Sequence, residues 1–302
     1  MRIGISMASA YGVDDVRTGA RYMVERARAA HAAGLDSLFV GDHHATPAPY
    51  YQNSPILGRV LAEWGEREAG ALYLLPLWNP VLVAEQTATL ASIAQGPFVL
   101  QCAIGGGRSQ FASMGIGYGG KPAKFEEALS IIRALWRGET VDGPEGHWPV
   151  AGARIAPLPP EPIEVWIGAS AQPAIDRAAR LGDAWLGSPG TTLVQTRRQL
   201  DWYREACATH GRTPERVALR RDVYVGESAA EARNTMRRYV EGGYRGFDPE
   251  ALVIGDVAAV ADQLATYGEL GFTDILVRNI TADQALALAT IERLARVRET
   301  LA

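Results

Sequence analysis

Apolar residues along the chain fall into short runs, separated by longer stretches in which they recur every three or four positions. The first pattern reads as buried strand and the second as amphipathic helix. Ile3–Ser6, Ser37–Gly41, Gly70–Leu75, Phe98–Ile104, Glu164–Ile167, Ala184–Leu186, Val217–Val225 and Asp274–Arg278 carry the strand pattern. Helical recurrence follows them over 21–33, 55–66, 81–94, 125–136, 173–181, 193–210, 229–241 and 282–300. Gly34 and Gly182 supply stop signals, and Pro173 suits a first helical turn. Eight strands alternating with helices predict a parallel sheet, because parallel neighbours need a crossover long enough to hold a helix.

An open doubly wound sheet and a closed barrel both satisfy that alternation. The count of eight, the even spacing and the lack of any compositional break favour an α/β fold of the (β/α)8 TIM-barrel type, a single domain over residues 1–302. The surplus residues lie in connections 42–61, 105–162 and 242–256, which makes insertions after strands 2, 4 and 7. The first two follow strands two and four and are expected at the C-terminal rim, where barrels of this type keep their reactive groups.

Composition narrows the chemistry. The 302 residues carry 30 basic and 34 acidic side chains, a formal net charge of -4, so the electrostatic footprint of a nucleic-acid binder is missing. No run approaches the ~18 apolar residues of a membrane span, and the short apolar start Ile3–Met7 lacks the h-region of a signal peptide. A soluble, cytoplasmic protein is expected. Cys102 and Cys207 make no disulfide framework, and neither has a metal-ligand neighbour at suitable spacing, so no metal is expected. Of the basic residues only Lys121 and Lys124 are lysines, against 28 arginines.

Three strand ends carry candidate chemistry. Gly41-Asp42-His43-His44 places two imidazoles and a carboxylate at the rim. Successive side chains point to opposite sides, so one metal is not expected to take both rings, and His43 is the candidate acid or base. Ile104-Gly-Gly-Gly-Arg108 is a turn that lets backbone N–H groups approach a ligand, or simply a tight turn. Trp166-Ile-Gly-Ala-Ser170 leads into a helix N-terminus that favours a phosphate, with Ser170 as anion ligand or helix cap.

Taken in order, Val-Gly-Asp-His-His, Leu75–Leu90, Phe125–Trp136, Trp166–Ser170 and Ala178–Trp185 resemble the bacterial luciferase-like superfamily over nearly the whole chain. The resemblance implies a (β/α)8 barrel holding reduced FMN or the deazaflavin F420 at its C-terminal rim. It implies that His43, beside Asp42, contacts the reactive part of the ring. Ala71 and Leu72 match a strand-three bulge, often a non-prolyl cis peptide, that supports the ring's face. Ile104, Gly105 and Gly106 would meet the cofactor's tail, and Lys124, with Gly168, Ala169 and Ser170, its phosphate.

His-His resembles the FMN monooxygenases, whereas Asp42 in place of their usual Glu resembles the F420 group. The leading expectation is a luciferase-like monooxygenase using reduced FMN and O2 on a small organic substrate, with Gly115–Gly120 as the hinge of a lid. The alternative is F420-dependent hydride transfer, and a third is a flavin-free partner subunit without catalysis. Tyr11, Tyr50, Tyr51, Trp78 and Phe111 are candidate pocket walls. The resemblance also implies a homodimer and, for the FMN reading, a separate flavin reductase.

Overall fold

A computed structural model describes residues 1–143 and 145–301. The eight strands expected from the sequence all form: β1 (Arg2–Met7), β2 (Ser37–Val40), β3 (Glu68–Leu74), β4 (Phe98–Ala103), β7 (Glu164–Gly168), β8 (Ala184–Gly187), β9 (Arg216–Val225) and β11 (Asp274–Asn279). Their order is β9-β11-β1-β2-β3-β4-β7-β8, and β8 pairs back to β9, so the parallel sheet closes on itself. Closure leaves no free edge and makes this a TIM barrel.

The helices α1 (Val16–Ala32), α2 (Asn53–Leu61), α3 (Pro80–Ile93), α5 (Lys121–Trp136), α6 (Gln172–Leu181), α7 (Leu193–Thr209), α8 (Ala229–Glu241), α9 (Val257–Leu270) and α10 (Gln284–Leu301) connect the strands. Their buried faces and the outward-facing strand residues form one large core. Four features lie outside the sequence expectation: the short helix α4 (Arg108–Ser113), the hairpin β5 (Val141–Gly143) with β6 (Val150–Ala153), β10 (Val253–Gly255) and the helix α9 that follows it. The insertion after strand seven is thus not plain loop, because β10 extends the sheet alongside the last residues of β9 and α9 follows it. Glycine and aspartate at 255–256 obscured that strand, whose three residues are too few for a periodic signal. No helix among the described residues is long and apolar enough to cross a membrane.

Side chains alternate along each strand, so every second residue enters the barrel. The middle layer is apolar: Phe39, Val99, Trp166, Ala184, Ala218 and Leu276 are all buried together. Gly70 completes it without a side chain, since a Cβ there would sit 2.2 Å from the Val99 carbonyl oxygen and 2.8 Å from the Phe39 ring. Below, Arg216 pairs with Glu68 and Asp274, each at 2.7 Å, and with Glu164 at 3.0 Å, while its guanidinium lies 4.4 Å from the Trp166 ring centroid. Two residues further along each strand is the upper layer, which contains Leu72, Gln101, Gly168, Leu186, Arg220 and Arg278. The barrel floor is therefore sealed by charge, its middle is packed, and its C-terminal end is left to small and polar side chains.

Candidate active site

At that end the rim divides in two. Over β3, β4, β7 and β8 lies an open cleft of about 320 Å³ lined by Leu72, Ala103, Ile104, Gly105, Gly168, Ala169, Ser170 and, across from them, Leu186, Ser188 and Arg220. Its volume suits a small-molecule or cofactor site. Six of the residues expected at a cofactor line it: Leu72, Ile104, Gly105, Gly168, Ala169 and Ser170. Small side chains on β4 and β7 make the floor, so a flat ligand can lie against strand ends. Gly105 turns the chain with φ +68, which glycine adopts without strain.

The turn after β7 is held from behind. Trp185 Nε1 donates to the Ala169 carbonyl at 2.9 Å, and Gln199 Nε2 donates to the Ser170 carbonyl at 3.0 Å. With those carbonyls fixed, the turn leads into α6, whose N-cap is Ala171. Ser170 is therefore not the cap that the sequence allowed, and no side chain caps this helix. The first N–H groups of α6 are left to solvent or to an anion at the end of the cleft.

The β2 end separates its three polar residues. Asp42 is buried, and its Oδ2 accepts from the Leu74 backbone N–H and from Trp78 Nε1, both at 2.8 Å. His44 is buried beside it, with Nε2 3.0 Å from Asp42 Oδ1 in an ion-pair contact that is not aligned as a hydrogen bond. Asp42 thus ties the ends of β2 and β3 together. His43 points the other way, is exposed, and has Nδ1 3.1 Å from Gln110 Nε2 on α4. Its ring lies 5.8 Å from that of Tyr50. The opposite orientation of the two imidazoles matches the alternation expected at a strand end.

The expected bulge at Ala71 and Leu72 does not form. The β3–β4 register runs without interruption from Ala69 to Leu74, and the cis peptide among the described residues is Ala156–Pro157. Ala71 is fully buried and faces the outer core, while Leu72 reaches the cleft. The buried Asn53 supports that strand end by donating to the Leu72 carbonyl at 2.7 Å. Regular parallel pairing on both sides of Ala71 leaves no extra residue to bulge.

Neither lysine lines the cleft. Lys124 Nζ donates to the Gly117 carbonyl at 2.9 Å, whereas Lys121 Nζ reaches the Gly105 carbonyl at 3.0 Å and lies 4.0 Å from the Tyr118 ring centroid. Lys121, not Lys124, is therefore the lysine at the cleft's edge, and Gly106 accepts from the Tyr118 hydroxyl. Among the candidate walls, Tyr11 and Phe111 are buried in the core, while Tyr50 and Trp78 flank the two histidines. Burial, with Asp42 nearby, pushes the Tyr50 phenol up, so it stays protonated.

Sequence reasoning missed Gln110, Asn53, Arg220, Asp222 and Arg278. The three charged residues had a signal: Arg220-Arg221-Asp222 and Arg278 interrupt otherwise apolar strands, and alternation sends Arg220, Asp222 and Arg278 inward.

The model of the luciferase-like monooxygenase family matches residues 1–250. An F420-dependent glucose-6-phosphate dehydrogenase of Beutenbergia cavernae is 29% identical, the match covering 86% of this chain and 87% of that protein. Among solved structures, an F420-dependent secondary alcohol dehydrogenase in complex with an F420–acetone adduct superposes with TM-score 0.82 and 17% identity, over 100% of this chain and 99% of that one. The FMN complex of the oxygenating constituent of 3,6-diketocamphane monooxygenase from Pseudomonas putida gives TM-score 0.83 and 18% identity, with the same coverage. Motif order, barrel closure and the family match agree, and the chain belongs to the luciferase-like monooxygenase family.

Proposed function

We propose that the protein is an F420-dependent oxidoreductase that moves a hydride between the deazaflavin and a small organic substrate, with His43 handling the accompanying proton. The observation that carries this reading is the exposed His43 imidazole at the end of β2 on the barrel rim, with Gln110 on its Nδ1. When bound, the deazaflavin supplies the carbon that gives or takes the hydride. Leu72, Ala103 and Gly168 would bear its ring, and the uncapped start of α6, with Ser170, its phosphate. Gln110 donates its Nε2–H to His43 Nδ1, which fixes the ring and leaves its other nitrogen, Nε2, to exchange the proton with the substrate. Curated relatives named as F420-dependent dehydrogenases support this choice, as does Asp42 where the FMN enzymes usually have Glu.

A second reading is oxygenation with reduced FMN, favoured by the His43-His44 pair and by the fold match to the FMN-containing monooxygenase. That chemistry needs water kept out. An exposed His43 and an open cleft suit proton exchange with solvent better than they suit a dry pocket.

The test is turnover with F420 and a panel of alcohols under air and under anaerobic conditions. Equal rates are expected, and His43→Ala lowers kcat by about 10²- to 10⁴-fold while leaving cofactor affinity within about twofold. A requirement for O2 with FMN would replace the first reading by the second, and unchanged turnover in His43→Ala would remove His43 from the chemistry.

A further inference from the structure

The other half of the rim, over β1, β2, β9 and β11, is cationic and incompletely paired. Arg278, on β11, points into the barrel mouth two residues above the packed Leu276, and its Nε is buried with no acceptor. Among the described residues no carboxylate or carbonyl pairs with this guanidinium. Arg220, at the equivalent height on β9, lines the cleft and has its Nε 3.3 Å from Asp222 Oδ1, again off the hydrogen-bond line. Asp222 is already engaged through Oδ2 by the Tyr244 hydroxyl at 2.9 Å and by Arg245 at 3.3 Å. Asp222 is thus one carboxylate shared by two guanidiniums, Arg220 and Arg245. Burial pushes Arg220 down to about 10 against the pull of Asp222, and the like charges of Arg278 and Arg245 add to the depression.

Buried polar groups without partners are rare, and two guanidiniums converging on one opening leave a fork-shaped set of donors that suits an oxyanion. We propose that Arg278 and Arg220 form a subsite for an oxyanion, a carboxylate or phosphate, carried by the substrate, on the β9–β11 side of the barrel mouth, where Arg220 borders the cofactor cleft. The assignment rests on the cofactor reading above, and it deepens that reading by naming the charged end of the substrate. His43 and Tyr50 lie on the same side as this subsite, so a substrate anchored by its anion would bring its reacting carbon toward His43. The bound anion would also supply the counter-charge that the protein leaves out.

Inorganic phosphate and acetate are the probes, titrated by calorimetry into the cofactor-free protein and again with F420 bound. Saturable binding of one of them is expected in both states, with phosphate preferred if the substrate is a phosphate and acetate if it is a carboxylate. Arg278→Gln should weaken that binding by about tenfold to a hundredfold, since hydrogen bonds to charged groups contribute about that much, and should leave F420 affinity unchanged. Because it removes an unpartnered cation, Arg278→Gln should melt no lower than the wild type. Should it fail to fold, Arg278→Lys carries the test: loss of the two-pronged donor weakens the anion severalfold, and unchanged affinity overturns the subsite.

Three further results would overturn it: no saturable binding of either anion, binding displaced by F420 and indifferent to Arg278→Gln, or loss of F420 affinity in Arg278→Gln. The last would give the guanidinium to the cofactor. If wild-type protein binds no F420, the cofactor reading fails by itself, while anion binding by the cofactor-free protein still reports on Arg278.

Discussion

Asp42, His43 and His44 are consecutive, yet they do three different things because a strand end alternates its side chains. Asp42 satisfies the Leu74 N–H and the Trp78 indole, so Asp42→Ala leaves two donors without an acceptor. That variant should lose about 3 kcal/mol of stability, read as a lowered denaturation midpoint, whereas Asp42→Asn keeps an acceptor oxygen and should retain most of it. Gln110→Leu removes the partner of His43 without emptying the cleft. It should lower turnover roughly tenfold with little change in cofactor affinity, by analogy with other supporting shells. The Asp-His-His pattern was legible in the sequence because all three residues are adjacent and the strand period separates them. Gln110 and Arg278 were not, because what matters about each is set by residues far along the chain: His43 for the first, and for the second the lack of a paired counter-ion among the described residues.

Single elements show where local physics was enough and where it was not. Each barrel strand announced itself by an apolar run, since a strand buried on both faces has no alternation to hide. The bulge at Ala71 and Leu72 rested on resemblance alone, and continuous pairing with β4 overrules it. The phosphate lysine was likewise placed by position, and the fold of 115–121 turns Lys124 onto Gly117 and brings Lys121 to Gly105. Helix α6 offers the sharpest test at this scale. Its N-cap position, Ala171, has extended backbone and no capping side chain. Ala171→Asp should cap the helix, adding about 1 kcal/mol and raising Tm by about 2 to 4 °C. The same carboxylate would occupy the N–H groups and repel a phosphate, so cofactor affinity should fall roughly tenfold. A stabilised variant with unchanged affinity would place the phosphate elsewhere.

For the molecule as a whole, closure of the barrel organises everything else: charge at the floor, apolar packing at the middle, function at the rim. Arg216 holds Glu68, Asp274 and Glu164 at the floor. Arg216→Met should cost about 3 kcal/mol, because it leaves the buried Glu68 and Asp274 with only the more exposed Arg2 as counter-ion. Chemical denaturation reads that loss, with activity at the far end of the barrel retained in the folded fraction. The barrel was visible from the sequence in its strand count. The choice of cofactor was not, because the residues at the rim resemble both branches of the family.

Fluorescence titration of the purified protein with F420 and with FMN, side by side, meets that choice directly. Saturable binding of F420, tighter than that of FMN and weakened by Ala171→Asp, is the predicted result. Binding of FMN alone, or of neither, would contradict it.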